Sequence, residues 1–268
     1  MLGVEDFQAD QDYHRGRLAR ALVQLYGTGT VSGLQIQTDG NPNAAQLEIQ
    51  VTPGMAVDRV GRIIEVPRTV CIIPQNWLTQ LVQAWQDQQT NPVPGQPSLA
   101  DPNTAIHDAS NLMVDVFAAF VPCTRGATPC FATQDDYDAT DAFRPNRWLD
   151  SYAMQLVLRT DSDPLTPLDP WGAAGAMPAD RGALRQMLLQ AMGAPAISPQ
   201  EYPPGFDVTA VFLARILIPA TAGSGGAPPV WNLDPHNIVI DNDSRLFLYP
   251  AALVAHLMGL GSGAEKKS

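Results

Sequence analysis

The stretch DPHNIVIDND, residues 234–243, gathers Asp234, His236, Asp241 and Asp243 in a short span. Carboxylates and an imidazole at that density could hold a divalent cation, or act as base and acid in a hydrolysis. The same residues also suit a turn and hairpin carrying solvated acids, which is the reading the sequence favours. A second acidic run, Asp135, Asp136, Asp138 and Asp141, could bind calcium. It lacks the glycine and the terminal glutamate of an EF-hand loop, so a solvated loop is expected.

Three cysteines offer less. Cys71 sits in the apolar run RTVCIIP and is expected to be a buried small hydrophobe. Cys123 and Cys130 flank TRGATP, with His107 upstream. A zinc site there would need a fourth ligand and a second spaced pair, which is missing. A local disulfide and plain structural thiols are the alternatives, and the spacing leaves all three open. The four histidines are scattered, without an H-x-x-x-H pair, and there is no G-x-S-x-G elbow. No catalytic, cofactor-binding or metal-ligating set is assigned, and no cofactor is expected.

LYGTGTVSGLQI, residues 25–36, places Gly27, Gly29 and Gly33 close together. A phosphate-cradling loop follows a strand and opens a helix, because the anion sits on the helix N-terminus. The order here is helix, then strand, and the spacing is G-x-G-x-x-x-G. These glycines therefore read as backbone punctuation at a helix-to-strand junction.

The elements around these residues follow from periodicity. Glu5 to Tyr26 reads as a helix with Leu18, Leu22 and Leu25 on one face. Arg15, Arg17 and Arg20 lie in its second half, toward the negative end of the dipole. From Val31 the period becomes two, and the chain to Ile73 reads as an antiparallel meander with a tight turn at Arg59 to Gly61. Asn76 to Gln89 reads as a helix with Trp77, Leu81 and Trp85 at helical spacing. A strand follows in NLMVDVFAAFVPC, then a loop from Thr124 to Asn146 and a strand in SYAMQLVLR. DRGALRQMLLQAMG reads as a helix between Asp180 and Gly193. DVTAVFLARILIP is a strong strand, and HNIVI and RLFLY read as a hairpin around DNDS. Pro250 opens a short helix. The expected fold is α+β, mainly short antiparallel strands in a meander or sandwich, with an N-terminal helix and a few peripheral helices. The expected division is 1–90, a proline-rich linker at 91–110, a β-rich part at 111–260, and a disordered tail at 261–268.

Composition narrows the function classes. The 268 residues carry 16 basic and 27 acidic side chains, a net charge of −11. Sequence-independent nucleic-acid binding needs clustered Lys and Arg, and the lysines are Lys266 and Lys267 alone. The longest apolar runs are too short to span a bilayer, and the acidic N-terminus has no secretory pattern. No nucleic acid and no membrane insertion are expected.

The chain resembles a known family in several places. Asp6 to Arg17 is similar to an acidic-aromatic helix pattern, DF-x-x-x-Q-x-Y-x-x-x-R. Gly27 to Leu34 resembles a G-x-G-x-V-x-G-L junction. Val51 to Val66 resembles a V-x-P-G-x-A-x-D-x-x-G-R-x-I-x-V segment. These belong to proteins encoded with contractile phage-tail-like injection particles. FRPNRWLDSYAMQLVLR and the closing FLARILI and IDNDSRLFLYPAALVAHLMGL are also similar. The resemblance implies a non-enzymatic structural subunit at a baseplate, fibre or cap attachment point. It would be assembled in the cytoplasm, in a particle that can be released, with other subunits and further copies of itself as partners. The structural or interface candidates are Phe7, Tyr13, Arg15, Arg17, Gly27, Gly29, Gly33, Asp58 and Arg62. Two other classes stay open: a carried effector hydrolase using Asp234, His236 and Asp241, and a glycan-binding fibre module using Trp171 or Trp231.

Overall fold

The computed structural model describes residues 4–39, 47–92, 98–107, 110–129, 143–161, 164–167, 186, 201–203 and 205–250. Helix α1 spans Val4–Tyr26. Six short strands follow: β1 (Gly29–Gly33), β2 (Ile36–Thr38), β3 (Ile49–Val51), β4 (Gly54–Val57), β5 (Ile63–Val66) and β6 (Val70–Ile72). Helix α2 spans Pro74–Thr90, with Pro74 in its first turn where a missing N–H costs nothing. Then come β7 (Ile106–His107), β8 (Asn111–Pro129), β9 (Phe143–Leu158), β10 (Val211–Thr221), β11 (Val230–Trp231) and β12 (Val239–Asp241). The fold is α+β with antiparallel sheets, as the sequence predicts.

The first six strands do not form a sequential meander. They alternate between two three-stranded sheets, ordered β1-β4-β5 and β2-β3-β6. The crossing is forced at Gly33, with φ +59, where a Cβ would stand 1.9 Å from the Pro53 carbonyl. Leu34 follows with φ +54 and is fully buried. A bulky residue holds that conformation only where packing fixes it.

The largest sheet is built on β8, paired with β10 on one edge and with β7 and then β9 on the other. Residues 114–119 of β8 are all buried. Val114, Val116 and Ala118 face the main core, which also takes Ile36, Ile49, Val51, Ile64 and Val66 from the two small sheets and Leu78 from α2. Residues on both sides of the 91–110 stretch thus meet in one core. On the opposite face Phe117 and Ala119 pack with Tyr202, Ala210 and Phe212.

Several local expectations change. The predicted loop at Thr124 to Asn146 begins later, because β8 continues to Pro129 and β9 starts at Phe143, in unbroken register from Val114↔Leu158 to Pro129↔Phe143. No hairpin forms between HNIVI and RLFLY. Instead β12 pairs with β10, and the following segment returns to β1 through the Thr30 N–H to Leu246 and Leu248 N–H to Thr30 hydrogen bonds. The Asp241 carboxylate accepts from the N–H groups of Asp243 and Ser244, which turns the chain away before a second strand can pair. Cys71 is exposed on β6, since its alternate neighbours Val70 and Ile72 take the inward face. The helices predicted at 180–193 and from Pro250 lie outside the described residues, except that Gln186 is helical.

Candidate functional site

The charged residues that the fold does bring together are not the ones that looked chemical in the sequence. Asp115 sits mid-β8 and Arg215 mid-β10, directly opposite in register. Arg215 donates to Asp115 through Nε at 2.7 Å and Nη2 at 3.0 Å. Arg159, just past β9, donates to the same carboxylate at 2.5 Å. Asp115 and Arg159 are both 0% exposed. Arg159 reaches Asp161 by a forked pair at 3.0 and 2.7 Å, and the Glu201 carbonyl at 3.2 Å. The Glu201 carboxylate is paired with Arg59, whose Nε donates to the Tyr202 hydroxyl at 2.9 Å. Among the described residues, Asp115, Asp161 and Glu201 are thus gathered with Arg159, Arg215 and Arg59, with Asp161 the most exposed of the six.

Buried charges persist when each is paired and its remaining hydrogen bonds are met. Arg215 meets its remaining donors with the carbonyls of Pro164 and Leu165. Burial alone would lower the Arg159 pKa, but its hydrogen bonds to the Asp161 and Asp115 carboxylates raise it. Burial alone would raise Asp161, and the Arg159 hydrogen bond outweighs it and holds the carboxyl below its usual range. Desolvation pushes the Tyr202 hydroxyl up against the pull of Arg59. Every one of these settings favours the ionised pairs or the neutral phenol. The arrangement ties Arg159, Asp161, Pro164, Leu165 and Glu201 to the sheet.

A second cluster holds the β4–β5 turn. Asp58, 0% exposed, accepts from the N–H groups of Val60 and Arg62 at 3.0 and 2.8 Å, and from Arg62 Nε at 2.5 Å. Arg62 also donates to Thr209 at 2.8 Å and lies 4.7 Å from the Phe120 ring centre. The residues predicted at this turn, Asp58 and Arg62, thus act together as a lock. Gly61 completes it, and the backbone of α1 at Ala19 rests directly on it.

The remaining sequence candidates fall in other places. Gly27, Gly29 and Gly33 all have positive φ and mark the α1–β1–β2 junction. Tyr13 and Arg17 are exposed on α1, where Arg17 donates to the Tyr13 hydroxyl at 2.6 Å. Arg15 pairs with Asp150 on β9. Phe7 lies in α1, its side chain outside the description. Asp234 accepts from the His236 N–H at 3.0 Å and caps a 3₁₀ turn, Pro235–Asn237. Among the described residues no group of three or more His, Cys, Asp or Glu side chains could hold a metal ion. His107 turns its Nε2 to the Arg159 carbonyl at 3.0 Å. Trp231, expected to stand exposed as a platform, is half-buried and donates to Gln75 on α2 at 3.1 Å. Cys130, the run Asp135 to Asp141 and Trp171 lie outside the described residues.

An apolar groove of about 310 Å³ lies between α1 and the β1-β4-β5 sheet. Leu22, Tyr26, Met55, Ile63 and Tyr249 line it. No helix among the described residues is long and apolar enough to cross a membrane. Comparison with known proteins finds no matching family, no matching curated protein and no matching solved structure.

Sequence reasoning missed the charge network, although a signal was present. The runs NLMVDVFAAF and AVFLARILIP each carry one charge, of opposite sign, at the centre of an otherwise apolar strand. Lone charges in such strands call for each other.

Proposed function

We propose that this chain is a non-enzymatic structural subunit of a contractile, phage-tail-like injection particle, contacting neighbours at a baseplate, fibre or cap attachment point. The observation that carries the reading is the β8–β9 ribbon. The β10 ladder ends at Ala118, while the ribbon runs on from Ala119↔Ala153 to Pro129↔Phe143. Among the described residues that is about 35 Å of two-stranded sheet. A two-stranded ribbon is marginal in water, and open strand edges are covered in assemblies or blunted. Pro122, Pro129 and Pro145 interrupt its backbone donors, so lateral aggregation is discouraged while side-chain contacts remain available. The three N-terminal motifs supply the family part of the reading.

The test is sedimentation of native lysate with this chain tracked by mass spectrometry. The reading expects it in fractions holding tube-shaped particles, at a fixed ratio that survives high salt. Recovery with small free proteins overturns it. Substituting Arg15 and Arg17 together with Glu should abolish incorporation and leave the monomer folded. The Arg15–Asp150 pair is half-exposed, and such pairs add little stability.

A further inference from the structure

Helix α1 has two faces. Ala19, Leu22 and Val23 are half-buried, Ala19 against Gly61 and Leu22 on the apolar groove. Gln11, His14, Leu18, Ala21 and Leu25 face away, spaced alternately three and four residues apart. That 3–4 alternation is the spacing of a helix–helix seam. It splits the leucines that the sequence placed on one face: Leu22 turns inward, while Leu18 is 56% exposed and Leu25 73%. Among the described residues this outward row stands exposed.

Charge along α1 is also divided. Asp6, Asp10 and Asp12 occupy the first half, and Arg15, Arg17 and Arg20 the second, with no acid beyond Asp12. A parallel partner of the same sequence would set like charges together. An antiparallel one sets acids against arginines. Asp10 and Arg17 are seven residues apart and occupy equivalent positions beside the seam. In a two-fold pair, a contact between Asp10 of one copy and Arg17 of the other occurs twice. Among the described residues these side chains make local exposed contacts, Asp10 with His14 at 3.4 Å and Arg17 with Tyr13. Both contacts can be exchanged.

We infer that α1 is a self-association surface on which a second copy of this chain pairs antiparallel, through the Leu18 seam and reciprocal Asp10–Arg17 contacts. This rests on the assembly reading and deepens it by naming the surface and the direction in which two copies meet. Its test uses purified chain without other subunits, so its failure and that of the particle reading are separable. Sedimentation equilibrium of the full chain under reducing conditions, up to about 100 µM, should show a dimer. Asp10→Arg alone and Arg17→Asp alone should each weaken it at least about tenfold, and the double exchange should restore it to within about threefold. Leu18→Glu should give monomer with an unchanged circular dichroism spectrum. A wild-type chain that stays monomeric overturns the inference. So does a dimer indifferent to the single exchanges, or a double exchange as weak as either single.

Discussion

Replacing Asp115 with Asn should cost this protein more than any surface change. The carboxylate is fully buried and takes three charge-assisted bonds, one from Arg159 and two from Arg215. The amide keeps the shape and loses the charge. Arg159 and Arg215 then face a neutral amide where each had a carboxylate. Removing one partner of a buried pair costs about 3–5 kcal/mol. A domain's whole stability is about 5–15 kcal/mol. With a urea slope of about 3 kcal/mol/M, a loss of about 4 kcal/mol lowers the midpoint by about 1.3 M. Urea unfolding followed by tryptophan fluorescence reads this directly. A sharper comparison is Asp115→Leu combined with Arg159→Met and Arg215→Met. Removing Asp115 with both its guanidiniums should cost less than removing the acid alone, because no guanidinium at Asp115 is left without its acid and Asp161, which loses Arg159, is partly solvated. A single Asp115→Asn variant within about 0.5 kcal/mol of wild type, or a triple variant worse than the single, would refute the view that pairing rather than packing governs this site.

Two further expectations concern the turn and the acid limb. Gly61→Ala should loosen α1: φ is +88, and the new Cβ would stand 1.9 Å from the Ala19 carbonyl. Faster hydrogen exchange across residues 4–26, with the β8–β10 amides unchanged, is the expected pattern, and an unchanged α1 would contradict it. Asp161 and Asp241 have folded pKa values below the ordinary aspartate value, each because hydrogen bonds outweigh burial. A depressed carboxylate contributes stability that is complete above its unfolded pKa, about 3.9, and lost as pH falls through the folded value. Wild-type urea midpoints should therefore fall steeply below about pH 4, and an Asp161→Asn, Asp241→Asn variant should start lower at pH 7 and fall less. Parallel curves for the two proteins would remove these carboxylates from the account.

Legibility in the sequence divides along a physical line. Whatever is set by local chemistry could be read. The α1 stop at Gly27, the Asp58–Arg62 turn and the strand at Val211–Thr221 each follow from residues near in sequence. Whatever depends on which strand is the neighbour could not. Short strands such as Ile36–Thr38 and Ile49–Val51 have the same alternation in either small sheet, so nothing in their pattern says that β1 leaves for β4 and β2 for β3. At 234–243 the favoured reading, a turn carrying acids, holds for a local reason, while the hairpin expected around it depends on the neighbour and does not form. Asp and Asn near a turn satisfy backbone N–H groups first, and the same oxygens that could bind a cation are spent on Asp243, Ser244 and His236. Asp115 and Arg215 stand at the other extreme. A hundred residues separate them, and each alone reads as an interruption in an apolar strand. Their meaning is pairwise: an ionised group in a buried strand is costly without its counterpart, so the two together favour the β8–β10 register. A one-residue slip would turn Arg215 to the main core and leave Asp115 facing the wrong side of β10. The network therefore acts as a register lock for the sheet from which the ribbon extends.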